Sequence, residues 1–263
     1  MYDIRVKFIR GEEVKFISHL DLMKTFGRAV RRSRLPISYS QGFNPHPQMV
    51  FGLPLAVGVT SEAEYADIEL VSDMEPDDFI RALNRQLPQG LLLLEGKRRQ
   101  SKANIMASVV MGDYAVLARC EEDGAPEQLK EKLERFLALP EITVVKESKG
   151  GSRQVDIRPM ILRLEAVLPD TWGKREDKAS LWAVRRVRDL QDPGKNSGEG
   201  LCLLSARLSA GSSANLKPEL LVAALNETLH TGLEVLGVHR TELFVRSKSG
   251  AVVKPLDDVA LSG

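Results

Sequence analysis

The stretch YDIRVKFI, Tyr2 to Ile9, alternates with a period of two. Ile4, Val6 and Phe8 fall on one side and Asp3, Arg5 and Lys7 on the other, the pattern of a half-buried strand. Downstream, Ser18 and Asp21 form an S-x-x-D helix start. Leu22, Met23, Phe26, Ala29 and Val30 then make an apolar stripe that Pro36 ends. Extended segments are predicted at 37–40 and 48–51, followed by a strand in AEYADIELV, Ala63–Val71. Pro76 suits the first turn of a helix over 75–87, with Phe79, Ile80 and Leu83 inward. GLLLLEG, Gly90–Gly96, closes the series. The order β-α-β-β-α-β is that of the ferredoxin-like split βαβ.

Beyond the basic segment GKRRQSK, Gly96–Lys102, the same order recurs with longer insertions. A strand at 114–120 leads to a helix at 126–137, then to extended segments at 142–146, 155–168 and 201–208. A helix at 217–229 and a strand at 238–246 complete it. The expected fold is α+β: two tandem ferredoxin-like (β-α-β-β-α-β) domains, 1–96 and 103–263, the second with an insertion around 170–200. Gly96–Lys102 is expected to be a solvent-facing connection between units that each carry their own sheet.

With 263 residues, 43% hydrophobic and 28% charged, the chain reads as a soluble globular protein with a sizeable core. A net charge of +1 gives no overall basic field, so a polyanion would have to be met by a local patch. Cys120 and Cys202 lie in separate apolar runs, which predicts two buried thiols in a reducing compartment. The N-terminus lacks the pattern of a signal peptide, and no apolar run reaches membrane-spanning length. Cytoplasmic location without a membrane partner is the expectation. No phosphate-binding P-loop, dinucleotide fingerprint or nucleophile elbow is present, so no cofactor is expected.

Charge in the first half is segregated. Lys24, Arg28, Arg31, Arg32 and Arg34 lie on or just after the first helix, whereas 35–80 holds no Lys or Arg and is rich in acids. Lys24, Arg28, Arg31 and Arg32 share one flank of that helix. They read either as a solvated face near a helix C-terminus or as a phosphate-binding ridge, since guanidinium forks fit phosphate bidentately. Arg5 and Lys7 on the first strand would oppose Asp67 and Glu69 on the third, giving a neutralised outer sheet surface. That surface lacks the stacking aromatics of an RRM.

The loop QGFNPHP, Gln41–Pro47, follows the arginine cluster directly. Two X-Pro steps stiffen it and Gly42 permits a tight turn. Gln41, Phe43, Asn44 and His46 then offer amides, a ring and an imidazole, the groups a base and its phosphate require; Phe43 could instead plug the core. His19 and His46 are the alternative catalytic pair, as acid and base of a ribonuclease. As metal ligands they lack any fixed spacing, and no metal is expected. Of the others, His230 and His239 are expected at the surface or an edge. In the second half, Gly211, Ser212, Ser213 and Lys217 precede a helix starting near Pro218. They read either as an anion-binding loop or as ordinary capping. Asp156 is placed to orient Arg158.

The run from Val14 to Leu70, VKFISHLDLMKTFGRAVRRSRLPISYSQGFNPHPQMVFGLPLAVGVTSEAEYADIEL, resembles the signature of an uncharacterised bacterial family of radical-SAM-linked proteins. VDIRPMI, Val155–Ile161, and the Gly-Ser loop before Lys217-Pro218-Glu219 resemble its later motifs. The resemblance implies a partner: members stand alone or are joined to a radical-SAM protein with a cobalamin-binding-type region. This chain has no C-x-x-x-C-x-x-C motif, so it would be the linked module only. The Ser18-His19-Leu20-Asp21 helix also looks broadly like that of CRISPR RNA-processing endoribonucleases, an analogy of fold. The reading that results is a non-catalytic recognition module for structured RNA, such as tRNA or rRNA, or for another substrate, acting with a radical-SAM enzyme. Its alternatives are a metal-independent endoribonuclease and a scaffold that docks the enzyme through the acidic 62–78 surface.

Overall fold

The structure, a computed structural model, describes residues 2–99, 103–120, 125–148, 151–172, 174, 176–190 and 200–257. Two compact units are present, Met1–Met111 with Glu242–Gly263, and Gly112–Thr241. The first opens with β1 (Tyr2–Arg10), α1 (His19–Ser33), β2 (Met49–Phe51), β3 (Thr60–Leu70), α2 (Pro76–Asn84) and β4 (Leu91–Arg99). A single turn, α3 (Ile105–Ser108), leads into β5 (Val109–Cys120). Next come α4 (Ala125–Ala138), β6 (Thr143–Ser148), β7 (Gly151–Asp156), β8 (Ile161–Val167), α5 (Pro169–Trp172) and α6 (Lys178–Leu190). The chain continues through β9 (Leu201–Ser209), α7 (Pro218–Leu229), β10 (Leu233–Arg246) and β11 (Val252–Val253).

The fold is mixed α+β, a large sheet with helices. Nine strands are hydrogen-bonded in the order β4-β1-β3-β10-β5-β9-β8, with β2 on β3 and β11 on β10, while β6 and β7 form a separate hairpin. The expectation of a separate sheet for each half is not met. β5 and β10 are long enough, at 12 and 14 residues, for each to contribute to both units. Asp170–Gly200 proves helix-bearing in α5 and α6; 191–199 lie outside the described residues. Two predicted strands are shorter than expected. Residues 37–40 make only isolated bridges, Ile37 to Leu70 and Tyr39 to Pro47. The segment 155–168 is broken by a tight turn at Arg158–Met160, where Pro159 has no N–H to give a ladder. Asp156 accepts from the Arg158 backbone N–H at 2.9 Å and not from its guanidinium, which donates to Leu137 and Ile161 carbonyls.

Alternation places Ile4, Val6 and Phe8 in the core of the first unit. The Phe8, Phe26 and Phe51 rings meet there at centroid distances of 5.0–6.0 Å, tilted or edge-on. Arg10 is fully buried, and its guanidinium donates to the carbonyls of Val14, Lys15, Ile17 and Leu55, fixing the chain that leads into α1. Near the C-terminal end of α2, Asn84 brackets Leu93 of β4, donating to its carbonyl (2.9 Å) and accepting from its N–H (2.8 Å). Asn226 of α7 brackets Leu233 of β10 with the same two bonds at 2.9 and 2.8 Å. In the second unit, Trp172 donates to the Val167 carbonyl and packs with Ala183 and Leu203.

The polar face of β1 is covered, not solvated. Arg5 opposes Asp67 across the strands as expected, but the two are only 1% and 4% exposed. Their bonds are bidentate, at 2.6 and 3.0 Å, and Arg5 also donates to the Pro255 carbonyl. Lys7 pairs with Glu242 at 2.8 Å, which also accepts from the Tyr65 hydroxyl. Burial, then the Glu242 carboxylate, pushes the Tyr65 phenol far up and keeps it a donor. Residues 242–257 of the same unit thus supply the missing partners.

The GKRR half of the expected linker is strand as well. Gly96–Arg99 pair with Asp3–Val6 in β4, Arg98 holds Asp73 and Glu75, and Arg99 holds Asp3. Residues 100–102 lie outside the described ones. Within the acidic 62–78 run, Glu64 and Asp67 are buried, whereas Asp73, Glu75 and Asp78 stay exposed and pair with Arg98 and Arg81.

Candidate nucleic-acid interface

Helix α1 begins as its sequence dictates. The Ser18 hydroxyl accepts from the Asp21 N–H at 3.1 Å and donates to the Asp21 carboxylate at 2.8 Å. That bond, then Lys24, holds the Asp21 carboxyl below its ordinary range. Leu22, Phe26, Ala29 and Val30 are buried, which turns the opposite flank outward. Arg34 ends the helix in the left-handed conformation, φ 55°. Met23, expected in the apolar stripe, lies on the rim of that stripe and is 36% exposed.

On the outward flank is a cleft of about 440 Å³ lined by Met23, Lys24, Gly27, Arg28, Arg31 and, from the loop and β2, His46, Pro47, Gln48 and Met49. It joins three cations to an imidazole and contains no carboxylate. Lys24 has a loose contact with Asp21 at 3.5 Å, both well exposed, and such a pair contributes little. Among the described residues Arg28 and Arg31 make no ion pair, so their forks remain available. Arg32 is different. Its guanidinium donates to the Gln86 carbonyl at 2.5 Å and to the Gln86 side chain at 3.4 Å, and it does not line the cleft.

Ser40 holds the loop closed. Its N–H donates to the His46 carbonyl at 2.9 Å, and its hydroxyl accepts from the His46 N–H at 3.1 Å and lies 2.8 Å from Nδ1. Gly42 supplies the turn at φ 133°. Gln41, Phe43 and Asn44 are exposed at the tip, and Phe43 at 106% plugs no core.

His19 is half-buried against Phe51, edge-on at 5.9 Å, and does not line the cleft with His46. Burial lowers its pKa, with Glu64 raising it and Arg10 lowering it. Among the described residues no group of three or more His, Cys, Asp or Glu is placed to hold a metal ion. In the second unit, Ser212 and Ser213 are exposed before α7. Lys217 is its N-cap residue, and its side chain makes no capping bond. Cys202 is buried, and burial pushes its thiol up to about 12; Cys120 is half-buried, and both are free. His230 is exposed where α7 ends. His239, expected at an edge, is instead buried and stacked on Trp182 at 5.2 Å.

Sequence reading missed Ser40 and Gly27, and it missed that Met23, Gln48 and Met49 line the cleft. Gly27 had a signal: a lone glycine inside an amphipathic helix pattern costs stability and calls for a reason.

Residues 3–191 match the family described as "Uncharacterized protein conserved in bacteria (DUF2344)". The chain belongs to that family. The matched region includes all of α1, the loop and the cleft. No curated protein matches the sequence. Among solved structures, the chain is similar to one in a Cbf5-Nop10-Gar1 complex, at 10% identity and a TM-score of 0.47, over 92% of this chain and 48% of that one. It is also similar to one in an archaeal box H/ACA sRNP Nop10-Cbf5 complex, at 10% identity and 0.43, over 91% and 46%. This chain thus spans about half the length of each. Among the described residues no helix is long and apolar enough to cross a membrane.

Proposed function

We propose that this protein is a non-catalytic recognition module for structured RNA, with the α1 cations on phosphate and the Gln41–Pro47 loop on a base. The observation that carries the reading is the cleft, where Lys24, Arg28, Arg31 and His46 line one cavity. Cations with free forks bind phosphate, and a wholly exposed Phe43 offers a stacking face. The partner it would serve is a radical-SAM enzyme with a cobalamin-binding region, an assignment that rests on sequence resemblance alone. In the same proposal the fold is two ferredoxin-like repeats. Two things support this: the strand orders β4-β1-β3-β2 and β10-β5-β9-β8, and the matched Asn84 and Asn226 brackets.

A second reading, a metal-independent ribonuclease, draws on His46 among the cations. Against it, the cleft holds one imidazole and no carboxylate to share acid and base work. Labelled tRNA incubated with the protein at low salt is the test. Binding without cleavage is expected, with Phe43→Ala weakening affinity by about 1–3 kcal/mol and more than His46→Ala does, at unchanged melting temperature. Cleavage products that disappear in His46→Ala would establish the ribonuclease instead.

A further inference from the structure

Gly27 sits in the middle of α1, where glycine is less favourable than alanine. Such a residue usually persists because a neighbour needs the space. Here none does: a Cβ built at Gly27 meets nothing within 4 Å. Its backbone is helical, so no positive φ requires glycine either. The open space is the cleft itself, which Gly27 lines between Met23 and Arg31. The fold gains nothing from the missing side chain; the cavity does.

The cavity's size and lining narrow the occupant. About 440 Å³ is the scale of a pocket for one small molecule, which runs roughly 300–1,000 Å³. A duplex cannot enter it. The walls divide into a charged part, Lys24, Arg28 and Arg31, and a flat or apolar part, Met23, Pro47 and Met49, with the Gln48 amide and His46 imidazole beside them. Guanidinium forks fit phosphate oxygens, whereas thioethers, a proline ring and an amide suit a base face and its edge.

Resting on the RNA reading above, we infer that the cleft receives a single unpaired nucleotide with its phosphate, and that Gly27 is the residue whose bareness admits the base. Arg28 and Arg31 take the phosphate, and Met23 and Met49 flank the base. The RNA so recognised presents a splayed nucleotide in a loop, bulge or end. A free nucleoside monophosphate shares this chemistry.

The test uses the full chain with Gly27→Ala and Gly27→Leu. Both are expected to fold, since a Cβ at this helical position meets nothing within 4 Å, and Gly27→Ala should melt higher than wild type. Anisotropy is read with a labelled ten-nucleotide single-stranded RNA and a blunt duplex of the same length, and AMP serves as competitor. Gly27→Leu should weaken single-strand binding about tenfold or more, the scale at which a pocket discriminates by added bulk. Gly27→Ala should weaken it less, duplex binding should not change, and AMP should compete on wild type and on Gly27→Ala but not on Gly27→Leu. Single-strand binding that survives Gly27→Leu but is lost in Arg28→Glu overturns this inference and leaves the RNA reading standing. AMP binding that Gly27→Leu abolishes, with no RNA bound by wild type, keeps the nucleotide site and overturns the RNA reading.

Discussion

Arg28, Arg31 and Arg32 look equivalent in sequence, and the structure separates them. Arg28 and Arg31 face the cleft, while Arg32 is committed to Gln86. Replacing Arg28 and Arg31 together by Ala should therefore change the salt dependence of RNA binding, and Arg32→Ala should not. Each phosphate neutralised on a single strand contributes about −0.7 to the slope of log affinity against log salt. Lys24, Arg28 and Arg31 together give a slope of about −2, so affinity falls about 20-fold between 50 and 200 mM salt; with Lys24 alone the fall is about threefold. The assay is anisotropy titration of a labelled single-stranded RNA at four salt concentrations, with melting temperatures measured in parallel. A double variant that keeps the wild-type slope would refute the cleft as the phosphate site. So would an Arg32→Ala slope flattened as much as that of Arg28→Ala.

Two further outcomes concern stability. Asp67→Ala strands Arg5 in a buried site and removes a partner of Arg99, so it should cost about 3–5 kcal/mol in urea unfolding. Arg5→Met with Asp67→Leu, which removes both charges, should cost less than the single change; the reverse order would show that the pair's burial is misread. His239 is held neutral, its pKa lowered to about 3 by burial, then by Lys178 and Arg185. The unfolded chain takes up the proton below about pH 6.5, so stability from this group is complete above that value and is lost as pH falls towards 3. Between pH 7 and 4.5 the loss should be about 2–3 kcal/mol greater in wild type than in His239→Phe. Equal losses would show that His239 does not titrate this way.

Local features were legible in the sequence. The Ser18 cap and the Phe26–Val30 stripe are neighbours in sequence, and α1 forms where they predict it. Lys24, Arg28, Arg31 and His46 meet because the loop returns directly alongside the helix that precedes it, with Tyr39 bridging Pro47. What failed depends on distant chain. Alternation in β1 tells which residues share a face but not what covers that face. Here the cover comes from Glu242 and Pro255, more than two hundred residues on. The bonds of Arg32 to Gln86 were hidden for the same reason, since Gln86 lies just past another helix. The basic segment 96–99 resembled a linker because its cations were visible, whereas the acids that receive them, Asp73 and Glu75, lay elsewhere.

The membership of Glu242–Asp257 in the first unit bears on the order in which the protein is made. Chains emerge from the ribosome at about 5–20 residues per second, and an N-terminal unit ordinarily folds first. Here the N-terminal unit waits for its closing strand until all of Gly112–Thr241 has been synthesised, an interval of about 6–26 s at that rate. In that interval Arg5 has no Pro255 carbonyl and Lys7 no Glu242. Because β1 lies between β4 and β3, what the nascent sheet lacks is the neighbour of β3, and an uncovered strand edge is where another chain can pair.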